Sequence, residues 1–366
     1  MEPVLLNDFR RIPPAIRREL TAATEEVVAS GWFVLGKQVT AFERAWADYC
    51  ATRHAIGVAN GMDAIEIGVR TLNLPAGAEI ITTPMTAFAT VLGIIRAGAT
   101  PVLADIDPTT GLLDPQSVER CISPRTRAVL LVHLYGQIRA VGAWEELCAH
   151  YGLTLLEDAA QAHGADSAGR RAGAIGKWAA YSFYPTKNLG CIGDGGALCT
   201  NDPDIAARSG QYRNYGQSER YHHPVIGLNS RLDEVQAAFL LRLLPHLPET
   251  TERRRAIASA YRRSIRSTKI ELLAEPDGPG NHVYHLFVVR TRKRAALQAH
   301  LSVLGIQTLI HYPICIHHQP PTRNLRCDPE GLGHAELFAG ECLSIPCHPY
   351  MIDSEVERVI AAMNSF

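Results

Sequence analysis

Between residues 55 and 158, short apolar runs alternate with stretches of helical periodicity, and few architectures accommodate that pattern. AIGVA (55–59), EIITT (79–83), PVLAD (101–105), AVLLVHL (128–134) and LTLLED (153–158) read as strands. MDAIEIGVRTL, AFATVLGIIRAG, Pro115–Cys121 and Trp144–Tyr151 read as the helices between them. Near-continuous apolar strands are buried on both faces, so the alternation predicts an α/β fold with a largely parallel sheet. Ligands in such sheets sit beyond the carboxyl ends of the strands. Residues that follow the apolar runs are therefore the first candidates for chemistry.

At 366 residues the chain exceeds one typical core, and two domains are expected. A helix is predicted from Arg231 to about Leu244, punctuated by Pro245 and Pro248, with a basic helix after it (ETTERRRAIASAYRRSI). The boundary is placed there, giving a large domain over 1–247 and a small α+β domain over 248–366. The small domain is predicted to hold a strand at VYHLFVVR (283–290), a helix over Lys293–Leu304, a loop over 311–328 and a last helix from about Asp353.

Charge and composition exclude several classes. Lys and Arg number 36 against 37 Asp and Glu, so no basic footprint for nucleic acid or anionic membrane is present. No apolar run reaches the roughly 18 residues of a spanning helix. The N-terminus, MEPVLLNDFRRIPPAI, lacks the layout of a signal peptide. Nine scattered cysteines with no CxxC pair read as reduced thiols, and a cytoplasmic location is expected. His222-His223 and His317-His318 have no acidic or cysteine partner at ligand spacing, so no metal site is expected.

Two groups carry the strongest chemical signal. Lys187 lies in SFYPTKNLG, behind the apolar run AAYSFY and ahead of Gly190, Gly193, Gly195 and Gly196. Asp158 ends the run LTLLED. A lysine amine to condense with an aldehyde and a carboxylate to hold a pyridine nitrogen protonated are what pyridoxal phosphate requires of its protein. Weaker signals surround them. Gly61 and Met62, after Asn60, stand where a helix N-terminus binds phosphate, or where a helix is merely capped. Ser182 offers a hydroxyl to the same phosphate, or is an ordinary strand serine. Phe88 is placed either to stack on the pyridine ring or to fill the core. Gln161 is in reach of the ring hydroxyl, and His163 reads as structural support.

In this order the segments SGWFVLG (30–36), ANGMDAI (59–65), TTPMTAFAT (82–90), EDAAQAHGA (157–165), SFYPTKNLG (182–190) and GLNSRLDEVQAA (227–238) resemble the DegT/StrS-type sugar aminotransferases. The resemblance implies the aspartate aminotransferase-like fold, with a mostly parallel seven-stranded sheet in the large domain. It also implies pyridoxal 5′-phosphate as cofactor, passing through pyridoxamine 5′-phosphate, with L-glutamate as amino donor and a nucleotide-linked keto-sugar as acceptor. Enzymes like this are homodimers with shared active sites, in which Asn229 matches an asparagine that reaches the partner's cofactor phosphate. Read from its own neighbourhood, Asn229 is a helix cap ahead of Arg231.

Finer resemblances concern the sugar. RNYGQSERYHHPVIGLNSRLDE (213–234) and IHYPICIHHQP (310–320) are similar to enzymes that aminate C-3 of dTDP-3-keto-6-deoxyhexoses. Ser230 stands where members acting at C-4 carry tyrosine, and Cys315 where relatives usually carry proline. By the same resemblance Tyr184, His311 and Tyr312 line the sugar pocket, local packing being the other reading. Arg220, Tyr221 and Arg231 are placed to bind the substrate pyrophosphate from the neighbouring subunit, or to form surface ion pairs. The alternatives are C-4 or UDP-linked keto-sugar amination and a non-catalytic regulator of the same fold. A sugar dehydratase of the family carries histidine where this chain has Lys187.

Overall fold

The computed structural model describes residues 2–366. Two helices come first, α1 (Pro14–Ser30) and α2 (Lys37–Cys50). The predicted alternation then follows as β1 (His54–Val58), α3 (Gly61–Thr71), β2 (Glu79–Thr82), α4 (Phe88–Arg96) and β3 (Thr100–Leu103). It continues through α5 (Pro115–Cys121), β4 (Thr126–Val132), α6 (Val141–Tyr151) and β5 (Thr154–Asp158). A short ribbon, β6 (Asp166–Ser167) and β7 (Arg170–Arg171), leads to β8 (Ala179–Ser182) and β9 (Gly196–Thr200). Helices α7 (Pro203–Tyr212), α8 (Glu234–Leu243) and α9 (Leu247–Ser264) complete the first part. Beyond them lie β10 (Glu271–Leu272), β11 (Phe287–Arg290), α10 (Arg294–Val303), β12 (Arg326–Cys327), α11 (Gly333–Glu341), β13 (Cys342–Ile345) and α12 (Asp353–Asn364).

The main sheet runs β1-β9-β8-β5-β4-β2-β3-β12. Only β9 is antiparallel, to both β1 and β8, so all the other strands point their carboxyl ends to one edge. Period-two alternation sorts the side chains. Ile80, Ala128, Leu130 and Leu156 pack on one face with Ile65 and Ile67 of α3. Ile81, Val129, Leu131 and Leu155 pack on the other with Val118 of α5 and Trp144 and Leu147 of α6. Both faces are thus covered, as a parallel sheet requires.

Four expectations need correction. The seven strands of the large domain are joined by an eighth, because Arg326 and Cys327, inside the predicted 311–328 loop, pair in parallel with Val102 and Leu103. The strand predicted over 283–290 begins only at Phe287. Residues before it are drawn to the turn after β4: Val283 N–H donates to Gly136 O and Ile138 N–H to Asn281 O. The helix predicted from Arg231 starts at Glu234, with Asp233 at the cap position, so Asn229 is not its cap. His317 and His318 do meet an acidic partner, Glu336 of α11, at 3.0 and 3.3 Å, a pairing that spacing along the chain does not reveal.

A second core joins Ile257 and Tyr261 of α9 to Phe287, Leu297, Leu343 and Val359, and it includes Val4 from the other end of the chain. Helix α9 opens in the first core with Leu247 and continues into the second. Among the described residues no helix is long and apolar enough to cross a membrane.

Candidate active site

The carboxyl ends of β1, β5 and β8 converge on a cavity of about 350 Å³. After β1 the chain turns directly into α3. The Asn60 side chain caps this helix by accepting from Asp63 N–H at 2.8 Å. Asn60 O accepts from Ala64 N–H. The N–H groups of Gly61 and Met62, which line the cavity, are left without a partner among the described residues. Glycine is needed at 61 because a Cβ there would stand 2.8 Å from Ser182 Cβ. The helix N-terminus therefore lies against Ser182, which also lines the cavity. Free amides at a positive helix end beside a hydroxyl make a phosphate site.

Asp158 ends β5 in the buried wall. Its Oδ2 accepts from Thr90 Oγ1 at 2.7 Å and its Oδ1 from Ala160 N–H at 3.1 Å. Burial raises its pKa, opposed by those hydrogen bonds and by the charge of Lys187. Lys187 follows β8 in a turn closed by its own N–H to Tyr184 O. Burial pulls its amine down to about 8, with Asp158 acting the other way. A lysine so lowered has a substantial neutral fraction near neutral pH, as a nucleophile needs.

Gln161 is fixed from both sides. Its Oε1 accepts from Tyr135 N–H at 2.7 Å and its Nε2 donates to Tyr312 Oη at 3.2 Å. Tyr312 is pushed up to about 12 by burial and by Asp158, and donates only as a neutral phenol. His311 Nδ1 lies 2.8 Å from Ser344 Oγ, and burial together with Lys187 lowers the ring to about 4.

Nine of the predicted residues meet at this cavity: Gly61, Met62, Asp158, Gln161, Ser182, Tyr184, Lys187, His311 and Tyr312. Phe88 does not. It is the first residue of α4, and its ring packs beside Val91, Leu103, Ile316 and Leu332. Its neighbours Ala87 and Ala89 line the cavity instead, so the stacking reading of Phe88 gives way to the core reading. His163 is fully buried beside Trp46, Tyr181 and Phe183. Among the described residues neither of its ring nitrogens has a partner, and burial lowers it to about 3.

Asn229, Arg220, Tyr221 and Arg231 lie outside the cavity, on the segment between α7 and α8. Asn229 bridges to Asn214, and Arg231 Nη1 donates to Asn214 Oδ1 at 3.2 Å. Tyr221 is 80% exposed, with Arg220 stacked over its ring.

Among the further residues of the cavity, Thr90, His133 and His285 bear on its chemistry. Thr90 closes the helical turn after TPMTAF and holds Asp158. His133 follows the carboxyl end of β4, a position that marks it in the sequence, and meets buried Glu157 at 2.9 Å. His285 enters because residues 281–286 leave the β11 strand, which periodicity does not foretell.

The description "DegT/DnrJ/EryC1/StrS aminotransferase family" matches residues 14–364. The chain is 43% identical over 360 residues to the dTDP-3-amino-3,4,6-trideoxy-alpha-D-glucose transaminase of Streptomyces venezuelae, covering 98% of this chain and 95% of the relative. It is 43% identical over 359 residues to the dTDP-3-amino-3,6-dideoxy-alpha-D-galactopyranose transaminase of Aneurinibacillus thermoaerophilus, covering 98% of each. The crystal structure of S. venezuelae DesV in complex with a ketimine intermediate superposes with a TM-score of 0.95 at 42% identity, over 100% of this chain and 98% of that one.

Proposed function

This chain belongs to the DegT/DnrJ/EryC1/StrS aminotransferase family, and we propose that it moves an amino group from L-glutamate to the C-3 keto group of a dTDP-3-keto-6-deoxyhexose. One observation carries the chemistry. Half-buried Lys187, with its amine lowered to about 8, shares a cavity with Asp158 at a strand end and with the free N-terminus of α3. The two relatives named for dTDP-3-amino sugars support the choice of acceptor.

Pyridoxal 5′-phosphate supplies, when bound, an electron sink for the carbanion formed at the donor Cα. The residues present fit it. The N–H groups of Gly61 and Met62 and the hydroxyl of Ser182 hold the phosphate. Asp158 holds a proton at the pyridine nitrogen, and the resulting positive charge favours the ionised carboxylate against the burial that disfavours it. Thr90 and the Ala160 N–H fix its two oxygens for that task. Gln161 spends one N–H on Tyr312 and keeps the other for the ring hydroxyl oxygen. Lys187 Nζ moves the proton from the donor Cα in the first half-reaction and returns one at the sugar carbon in the second. Tyr184, His311 and Tyr312 contact the sugar.

The site is completed across a homodimer. Asn229 reaches the partner's phosphate site, and Arg220, Tyr221 and Arg231 bind the substrate pyrophosphate there. The exposure of Trp32 (62%), Ile192 (65%) and Ile226 (88%) in the single chain supports a large covered face.

The test is the visible spectrum of the cofactor-loaded protein, followed by product analysis. L-glutamate is expected to bleach the yellow band. A dTDP-linked 3-keto sugar is expected to restore it and to emerge as the 3-amino sugar. Lys187→Ala is expected to lower turnover by at least about 10²–10⁴-fold. Turnover of a 4-keto or UDP-linked sugar in preference would overturn the choice of substrate. No band after cofactor is supplied would overturn the cofactor assignment.

A further inference from the structure

A second cavity, also of about 350 Å³, shares Thr186 and Lys187 with the first as a common wall. Its apolar lining includes Phe9, Ile12, Ile16, Leu20, Leu189 and Leu247. Arg254 of α9 stands in that lining and is only 5% exposed. Its Nη1 donates to the backbone carbonyls of Tyr284, His285 and Cys347 at 3.3, 3.4 and 2.7 Å. Its Nε has no partner among the described residues. Among the described residues no carboxylate pairs with it, and burial disfavours its charge. On the same helix Arg253, Arg255 and Arg262 each meet an Asp or Glu. Of the five arginines of α9, Arg254 and the exposed Arg263 lack a counter-charge, and Arg254 is the enclosed one.

The other polar groups of the wall do not supply one. Asp8 lines the cavity, but its oxygens are taken by Arg10 at 2.8 and 3.0 Å and by Arg11 at 3.3 Å. His348 is buried with Nδ1 unpartnered, and burial holds the ring neutral. A buried guanidinium with no acid beside it is costly unless an anion arrives. Carboxylates suit its fork of donors.

We propose that this cavity binds a small monocarboxylate, its acid group on Arg254 and His348 and its hydrocarbon body among Ile12, Ile16, Leu20 and Leu247. A dicarboxylate is disfavoured, since its second charge would fall on apolar walls near Asp8.

The test titrates hexanoate and benzoate into the cofactor-loaded enzyme by calorimetry, with hexanol, benzyl alcohol and the dicarboxylate adipate as controls. Saturable binding of the acids is expected, with the alcohols at least about tenfold weaker. Ile16→Trp fills the cavity from α1 and leaves Arg254 intact. It is expected to abolish hexanoate binding while the cofactor spectrum is retained, so a fold lost in an Arg254 variant does not block the test. Absence of saturable binding, equal binding of the alcohols, binding that survives Ile16→Trp, or stronger binding of adipate overturns the proposal. Binding seen only once the protein is dissociated to monomers assigns the cavity to a second copy and overturns it as well.

Discussion

Half-buried Lys187 and fully buried His163 are bases close to the same strand end, and desolvation sends them to different uses. In Lys187 burial lowers the amine from 10.5 to about 8, so its neutral fraction climbs as pH rises through 8. Incubation of cofactor-free protein with pyridoxal phosphate, followed by borohydride reduction and mass spectrometry, is expected to show labelling at Lys187 that rises with a midpoint near pH 8. A midpoint near 10.5 would remove burial as the activating cause. His163 is lowered from 6.5 to about 3, so between these values the unfolded chain binds a proton that the folded one refuses. Its contribution to stability is complete above about 6.5 and is lost as pH falls toward 3. His311 acts in the same direction with a folded value of about 4. His163→Phe, in a pocket already formed by Trp46, Tyr181 and Phe183, is expected to flatten the fall of Tm between pH 6.5 and 4. An unchanged acid limb would show that other groups set it.

At the level of elements, two helix starts show how similar devices serve different ends. Asn60 caps α3 with its side chain and leaves two N–H groups for a ligand. Helix α2 begins without a side-chain cap of its own, and Glu234 of α8 closes it from a distance. The Glu234 carboxylate accepts from Gly36, Gln38 and Val39 N–H at 2.8, 2.9 and 2.8 Å. Asn60→Ala is expected to cost about 1 kcal/mol of stability and to weaken cofactor binding as well, because the first turn it shapes is the phosphate site. Glu234→Ala orphans three donors and is expected to cost about 3 kcal/mol, with the phosphate site untouched in the folded fraction. Urea denaturation and cofactor titration of the two variants separate these effects. Equal losses of cofactor affinity in both would dissolve the distinction. Element starts of this kind are only half legible in sequence. Asn60 is adjacent to the helix it caps, whereas Glu234 lies almost two hundred residues from its clients.

For the whole molecule, the question is whether one chain suffices. Asn229, Arg220, Tyr221 and Arg231 sit away from the cavity, on a segment rich in exposed side chains. A shared site gives them work that a lone chain does not. Lys187→Ala and Asn229→Ala are each expected to be impaired as pure proteins. Mixed and allowed to exchange subunits, they are expected to recover activity, since a hybrid dimer contains one site with both native residues. No recovery on mixing, with exchange verified by mass, would place Asn229 outside the partner's site.

The local order of this chain was written in its sequence, because strand burial, helix periodicity and the residue after each strand are properties of neighbours along the backbone. β1 to β5, the turn at Asn60-Gly61, Asp158 and Lys187 were all readable on that basis. What only the tertiary structure decided depends on contacts between distant segments. The pairing of Arg326 and Cys327 with β3 adds a strand that is too short to have a period. The pull of Gly136 and Ile138 on residues 281–283 frees His285 for the cavity. Phe88 turns toward Ile316 and Leu332, which arrive from more than two hundred residues away and offer an aromatic ring an apolar bed that the cavity does not.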